Sequence, residues 1–227
     1  MKNLFTMLVI ALLILAGNTI AQEEPEMDYE TDGTLTVDSP DDGRALNGIF
    51  AYTEGNYACF WIVGDSGLVL RYRGEDGHGY PDAKSLNRYT GHDSLLDPTH
   101  NLMSVSFATL NIGWIVGYVN GGTDKWKGVI WKTTDGGQTW AVQYPDIAPG
   151  EKIPCLKVQA LDERVVWVSC GNGYVLKTTD GGATWNVYKP GGDRHTGWLW
   201  GVWAYDTTTA WVCSDQSGYV ANKNYWK

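Results

Sequence analysis

Three groups of side chains in this sequence have the types and spacing to do chemistry. The first is a pair of carboxylates, Asp135 and Asp180, set in near-identical octapeptides, Thr133-Thr134-Asp135-Gly136-Gly137-Gln138-Thr139-Trp140 and Thr178-Thr179-Asp180-Gly181-Gly182-Ala183-Thr184-Trp185. An Asp at a turn accepts backbone N–H bonds within that turn, and neighbouring glycines supply the positive φ it needs. Asp135 and Asp180 are therefore expected to staple turns, not to act on a substrate. The second group is a run of acids and imidazoles: Glu75, Asp76, His78, Asp82, His92, Asp93, Asp97 and His100. None of its spacings forms a compact ligand motif, so these read as solvated loop side chains and no metal is expected. The third group is aromatic and cationic: Lys125-Trp126, and the segment from Asp193 through Arg194, His195, Trp198 and Trp200 to Trp203. Trp and Arg are common anchors of interfaces, and a few polar groups beside them orient a ligand. Trp198, Arg194 and His195, with Trp126 and Lys125, are expected to edge a binding surface.

The elements that must position these groups repeat. Asp180 follows Asp135 by 45 residues, and a period of that size marks one supersecondary unit copied along the chain. Four copies overlay, each with an alternating apolar strand, a strand centred on Trp61, Trp114, Trp167 or Trp211, a glycine turn, and a third strand opening at Gly67, Gly128, Gly173 or Gly218. The longer first step is an insertion from about Glu75 to His100. The stretches are short, β-branched or aromatic, and bounded by Gly, Asp and Asn, the signature of strands. Three or four short strands per copy predict an all-β fold of β-propeller blades, approximately 44–100, 101–153, 154–197 and an incomplete 198–227. In the overlay Trp200 falls with Met103 and Leu156 and is expected in the core. Trp203 falls with Ser106 and Gln159, and Trp198 with Asn101 and Pro154.

The rest of the chain sets limits. Lys2, the apolar run Leu4–Ala16 and the small residues before Gln22 read as a secretory signal peptide over 1–21, cleaved near Ala21. That run is short for a membrane span of about 20 residues, so a secreted or cell-envelope protein that does not span the membrane is expected. Residues 22–43 are acidic and poor in apolar side chains, which predicts a flexible leader. Formal charge is −9 for the whole chain, so phosphate-rich partners such as nucleic acid are disfavoured. No glycine-rich loop leads from a strand into a helix, and no cofactor is expected. The four cysteines would lie outside the cytosol, where disulfides persist. A hairpin with Ala160 facing Val165 sets Cys155 opposite Cys170, within disulfide reach, whereas Cys59 and Cys213 fall in separate copies and are expected to be free.

The pattern Ser/Thr-x-Asp-x-Gly-x-Thr-Trp, matched by Thr133, Asp135, Gly137, Thr139 and Trp140 and again by Thr178, Asp180, Gly182, Thr184 and Trp185, resembles the Asp-box of bacterial neuraminidase-type repeats. The phrases around both copies resemble the photosystem II stability/assembly factor-like group of propellers, closely over Leu102–Trp211 and loosely over Leu46–Tyr72. The resemblance implies a ring of about seven blades, so four copies imply an incomplete ring. It also implies protein–protein recognition without catalysis, with a protein or glycan partner. The alternative it carries is a secreted glycoside hydrolase. Sialidases of this kind use three arginines, but Arg44, Arg71, Arg73, Arg88, Arg164 and Arg194 are scattered, and no Arg-Ile-Pro signature precedes the first copy. A xyloglucanase-like site needs two carboxylates about 5–10 Å apart, for which the insertion's acids and Glu151 are the candidates. The oligomeric state is not legible.

Overall fold

The computed structural model describes residues 44–54, 57–73, 96–143, 150–192 and 197–215. The expectations for the signal peptide and leader, for the acids and imidazoles between 74 and 95, for Arg194 and His195, and for residues 216–227 lie outside the described residues.

The described chain is built from antiparallel strands, with two short 3-10 turns and no α-helix. The first sheet joins β1 (Leu46–Glu54), β2 (Tyr57–Gly64) and β3 (Val69–Arg73). The second joins β4 (His100–Phe107), β5 (Gly113–Val119), β6 (Gly128–Thr133) and β7 (Ala141–Gln143). The third repeats this order with β8 (Cys155–Ala160), β9 (Val166–Cys170), β10 (Val175–Thr178) and β11 (Asn186–Tyr188). The fourth shows β12 (Leu199–Ala204) and β13 (Ala210–Ser214). Every strand pairs with the next in sequence, so each sheet is a meander, one blade per copy.

Successive blades meet through their first strands: β1 lies beside β4, β4 beside β8, and β8 beside β12. Alternation then gives each blade two apolar faces, one toward each neighbour. Trp61, Trp114 and Trp167 are fully buried between one blade and the next. Burying side chains of that size contributes several kcal/mol per junction, at about 25 cal/mol per Å² of apolar area. Polar side chains of one inner strand also bond the backbone of the next. Ser104 and Ser106 accept from the amides of Val158 (3.3 Å) and Ala160 (3.1 Å), and Gln159 both accepts from and donates to Ala204 (2.6 and 3.1 Å).

Each first strand carries a β-bulge at the same place: at Asn47, Met103, Leu156 and Trp200, the residue that the register skips. Two expectations are corrected. The third hairpin pairs Ala160 with Val166, one residue off the expected partner, and the bulge at Leu156 restores Cys155 opposite Cys170. Trp200, expected in the core, is 49% exposed. Met103 and Leu156 stand on strands with a further blade packed beside them, and among the described residues Trp200 has none.

The disulfide is also corrected. Cys155 and Cys170 face each other, but their sulfurs are 3.7 Å apart, against about 2.05 Å for a bond. None of the four cysteines is in a disulfide; Cys213 is exposed and the others are buried.

Candidate functional site

The two octapeptides turn from the third strand to the fourth in blades two and three, and their geometry is the same atom for atom. The Thr133 hydroxyl donates to Asp135 Oδ1 (2.8 Å) and accepts the amides of Gly137 (2.8 Å) and Asp135 (3.3 Å). Asp135 in turn accepts the Thr139 amide (2.9 Å) and hydroxyl (2.6 Å). In the second copy Thr178 donates to Asp180 (2.7 Å) and accepts from Gly182 (2.8 Å), and Asp180 accepts from Thr184 at 2.9 and 2.6 Å. Gly137 and Gly182 sit at φ of 90° and 91°, a region a side chain would strain. Both oxygens of each carboxylate are thus committed to the turn. Partial burial pushes the Asp135 carboxyl up, and the bonds from Thr139, Thr133 and Gln138 outweigh it, holding it at about 2. The Thr184 hydroxyl and amide hold Asp180 well below the usual carboxylate range. These are permanently charged acceptors, unsuited to proton transfer near neutrality.

The turns also latch the blades. Trp61 Nε1 of blade one donates to the Gly136 carbonyl of blade two (3.3 Å). Lys132 of blade two stands 5.3 Å from the Trp114 ring centre and donates to the Gly181 carbonyl of blade three (2.7 Å). Trp140 and Trp185 are partly buried against the neighbouring cores.

The aromatic group is brought together at one end of the blades. The β5–β6 hairpin carries Lys125 and Trp126, while Trp198 precedes β12 two blades further on. The rings of Trp126 and Trp198 nonetheless meet edge to face, their centres 5.5 Å apart. Tyr118 packs against Trp126 at 4.7 Å, and Trp200 follows Trp198 at 5.2 Å. Lys125 Nζ lies 5.4 Å from the Trp126 ring centre. Blade three passes beneath with the tight turn Gly171–Gly173, whose last amide donates to the Gly197 carbonyl (2.8 Å) and fixes the approach to Trp198. The Trp198 amide donates to Asp215 (3.1 Å). The surface stays open, with Trp126 37% and Trp200 49% exposed.

Trp126 is held in an unusual backbone state. Its amide donates to the Val119 carbonyl (2.8 Å) while the Val119 amide donates to the Lys127 carbonyl (2.9 Å). That two-against-one arrangement is a bulge in which Trp126 takes φ of 75°. Glycine normally fills such a position, and a bulky residue there costs about 1–3 kcal/mol. Lys152 Nζ braces the same hairpin by donating to the Thr123 carbonyl.

Of the expected surface residues, the structure therefore unites Trp126, Lys125 and Trp198. Tyr118 and Trp200 were missed by the sequence reading. Tyr118 has the strand parity of Trp114 at the hairpin end of β5, which could have found it; Trp200 is exposed because among the described residues no further blade packs beside β12, which its own segment does not announce. Of the insertion's residues, Asp97 accepts the Thr99 amide (2.8 Å) and hydroxyl (2.7 Å). Those bonds lower its carboxyl's pKa. His100 is buried 5.7 Å from the Trp131 ring, and burial lowers its pKa against the opposing pull of Asp97 at 3.9 Å. Among the described residues no three His, Cys, Asp or Glu side chains gather as a metal site, and no helix is long and apolar enough to cross a membrane.

No protein-family profile matches the chain, and no curated protein does. Solved structures do. A xyloglucanase of glycoside hydrolase family 74 from Xanthomonas campestris is 14% identical at a TM-score of 0.50, over 74% of this chain and 26% of the enzyme. YCF48 from Cyanidioschyzon merolae is 19% identical at 0.46, over 79% of this chain and 56% of its own length. A structure of YCF48 bound to D1 peptide is 16% identical at 0.48, over 79% of this chain and 54% of that one. The chain thus spans about half the length of the YCF48 structures and a quarter of the xyloglucanase. The likeness to the xyloglucanase is one of fold, and with the repeated meanders it makes this chain an all-β protein of the β-propeller class with about four blades.

Proposed function

We propose that this chain is an exported, non-catalytic recognition scaffold, and that the surface of Tyr118, Trp126, Trp198 and Trp200 binds a segment of a partner protein. The observation that carries the reading is Trp126, held at φ 75° so that its ring bridges Tyr118 and Trp198 while its outer face stays open. Strain of this kind persists where the surroundings hold it in place, and it collects at binding sites. A rigid indole platform offers large contact area at little cost in side-chain entropy. Lys125 beside Trp126 places a cation at this surface of a chain whose formal net charge is −9, and orients acceptor groups of a ligand. Export rests on the composition of residues 1–21.

Asp135 and Asp180 are fully engaged in their own turns, which favours recognition over hydrolysis. The test selects binders from a displayed random 12-residue peptide library and, in parallel, assays release of reducing sugar from sialosides, xyloglucan and β-glucans. Enrichment of peptides that a Trp126→Ala/Trp198→Ala protein no longer retains supports the proposal. Sugar release, or enrichment that this variant leaves unchanged, overturns it.

A further inference from the structure

The four blades differ in what covers them, and the difference is systematic. Positions can be counted from the bulge residues Asn47, Met103, Leu156 and Trp200. Two residues on, Val105, Val158 and Val202 pair across the sheet with Ile115, Val168 and Val212, and all six are buried against the preceding blade. The equivalent pair in blade one is Ile49 and Ile62; Ile49 is 50% exposed and Ile62 only half-buried. Three residues on, the strand faces the other way. Phe50, Ser106 and Gln159 pair with Trp61, Trp114 and Trp167, each covered by the following blade. In blade four the equivalent pair is Trp203 and Trp211, their rings 5.1 Å apart. Trp203 is 56% exposed, and Tyr205 beside it 70%. Among the described residues the chain therefore presents both halves of a blade junction on exposed faces.

The junction between blades one and two shows what such a pair receives. There Phe50 and Trp61, at 6.3 Å, are completed by Phe107 of the next blade, stacked on Trp61 at 3.8 Å. In the two later junctions the residue equivalent to Phe107 is Ala160 or Ala204, and in blade one it is Ala51. The back face of blade one thus has the Ile49–Ile62 and Ala51 pattern that already covers Trp114 and Trp167 elsewhere in the chain. A sheet face this apolar is rarely left to water in a lone molecule.

We infer that the Trp203–Trp211 face of blade four is covered by the Ile49–Ile62 face of blade one from a second copy of this chain. The contact joins two different faces. It closes when the second copy returns the same contact, so that two chains of about four blades make a ring of about eight. Propellers of up to eight blades are ordinary. The junction is apolar while each chain carries formal charge −9. Screening by salt weakens the repulsion between copies without weakening the contact, so pairing strengthens as ionic strength rises. The inference stands apart from the peptide-binding proposal, since Trp203 and Ile49 are not among the residues assigned to that surface.

The experiment is sedimentation velocity of the purified chain, alone and as Trp203→Ser and Ile49→Asp variants, from low to high micromolar concentration at two salt concentrations. Far-UV circular dichroism verifies that each variant is folded. The expected results are a dimer near twice 25.1 kDa for the parent chain and monomers for each variant alone. An equal mixture of the two variants should regain dimer, because the Ile49→Asp copy keeps an intact blade-four face for the intact blade-one face of the Trp203→Ser copy. A parent chain that stays monomeric throughout overturns the inference. So does a dimer that only one variant disrupts, a mixture that stays monomeric, or open-ended polymers in place of a closed pair.

Discussion

Replacing Thr133 by valine removes one hydroxyl and keeps the size and branching of the side chain, so strand preference is undisturbed. Thr133 is buried, and its oxygen serves the Gly137 amide at 2.8 Å and the Asp135 amide at 3.3 Å while its proton goes to Asp135. Leaving the buried Gly137 amide unpaired costs about 1–3 kcal/mol, and loss of the bond to an exposed, screened carboxylate adds no more than about 1. A total near 2.5 kcal/mol lowers the melting temperature by about 5–10 °C for a domain of this size. Thr178 has the same bonds within 0.1 Å. Thr178→Val must therefore cost the same as Thr133→Val to within about 0.5 kcal/mol. Urea and thermal unfolding followed by tryptophan fluorescence read both values. A loss below about 0.5 kcal/mol in either variant would refute the claim that these hydroxyls hold the turns.

Three further outcomes follow from the same structure. Asp135 titrates at about 2 when folded, below its ordinary 3.8, and Asp180 and Asp206 are lowered too; folding is thus favoured by their ionisation, fully above about pH 4 and decreasingly toward pH 2. Acid unfolding should begin in that window, and an Asp135→Asn protein should show a shallower dependence. Lys132→Met removes the bond to Gly181 and the cation beside Trp114, and should destabilise by about 1–2 kcal/mol in the same unfolding assay. In the folded protein Cys213 should react with a thiol reagent first, since it is exposed, whereas burial and the neighbouring Cys155 push the Cys170 thiol up and keep it inert. Prompt modification of two or more thiols, counted by mass spectrometry, would contradict that order.

Much of the fold could be read from residue types alone because it depends on local rules. The spacing of the Asp-Gly-Gly turns and of Trp61, Trp114, Trp167 and Trp211 gives the meanders and their number, since a period of two and a turn residue are visible in one strand. The bulges were not visible. The third hairpin pairs Ala160 with Val166, one residue from its expected partner, and Trp200 is exposed because among the described residues no further blade packs beside β12. The pairing of Cys155 with Cys170 survived only because the bulge offset that shift. The meeting of Trp126 with Trp198 was legible as composition, two exposed aromatic segments with cations, but the contact itself spans two blades and needs Trp126 at positive φ. Sequence patterns announce glycine at such positions and give no sign when tryptophan takes one.

The account turns on the indole surface being the place where a partner is held. The direct measurement is calorimetric titration of one library-selected peptide into the parent chain, the Trp198→Ala protein and the Trp203→Ser protein. Loss of a central aromatic anchor costs about 2–4 kcal/mol, so Trp198→Ala should weaken binding by about 30- to 1000-fold while Trp203→Ser leaves the affinity within about threefold. Equal affinity for the parent and Trp198→Ala proteins would contradict the account.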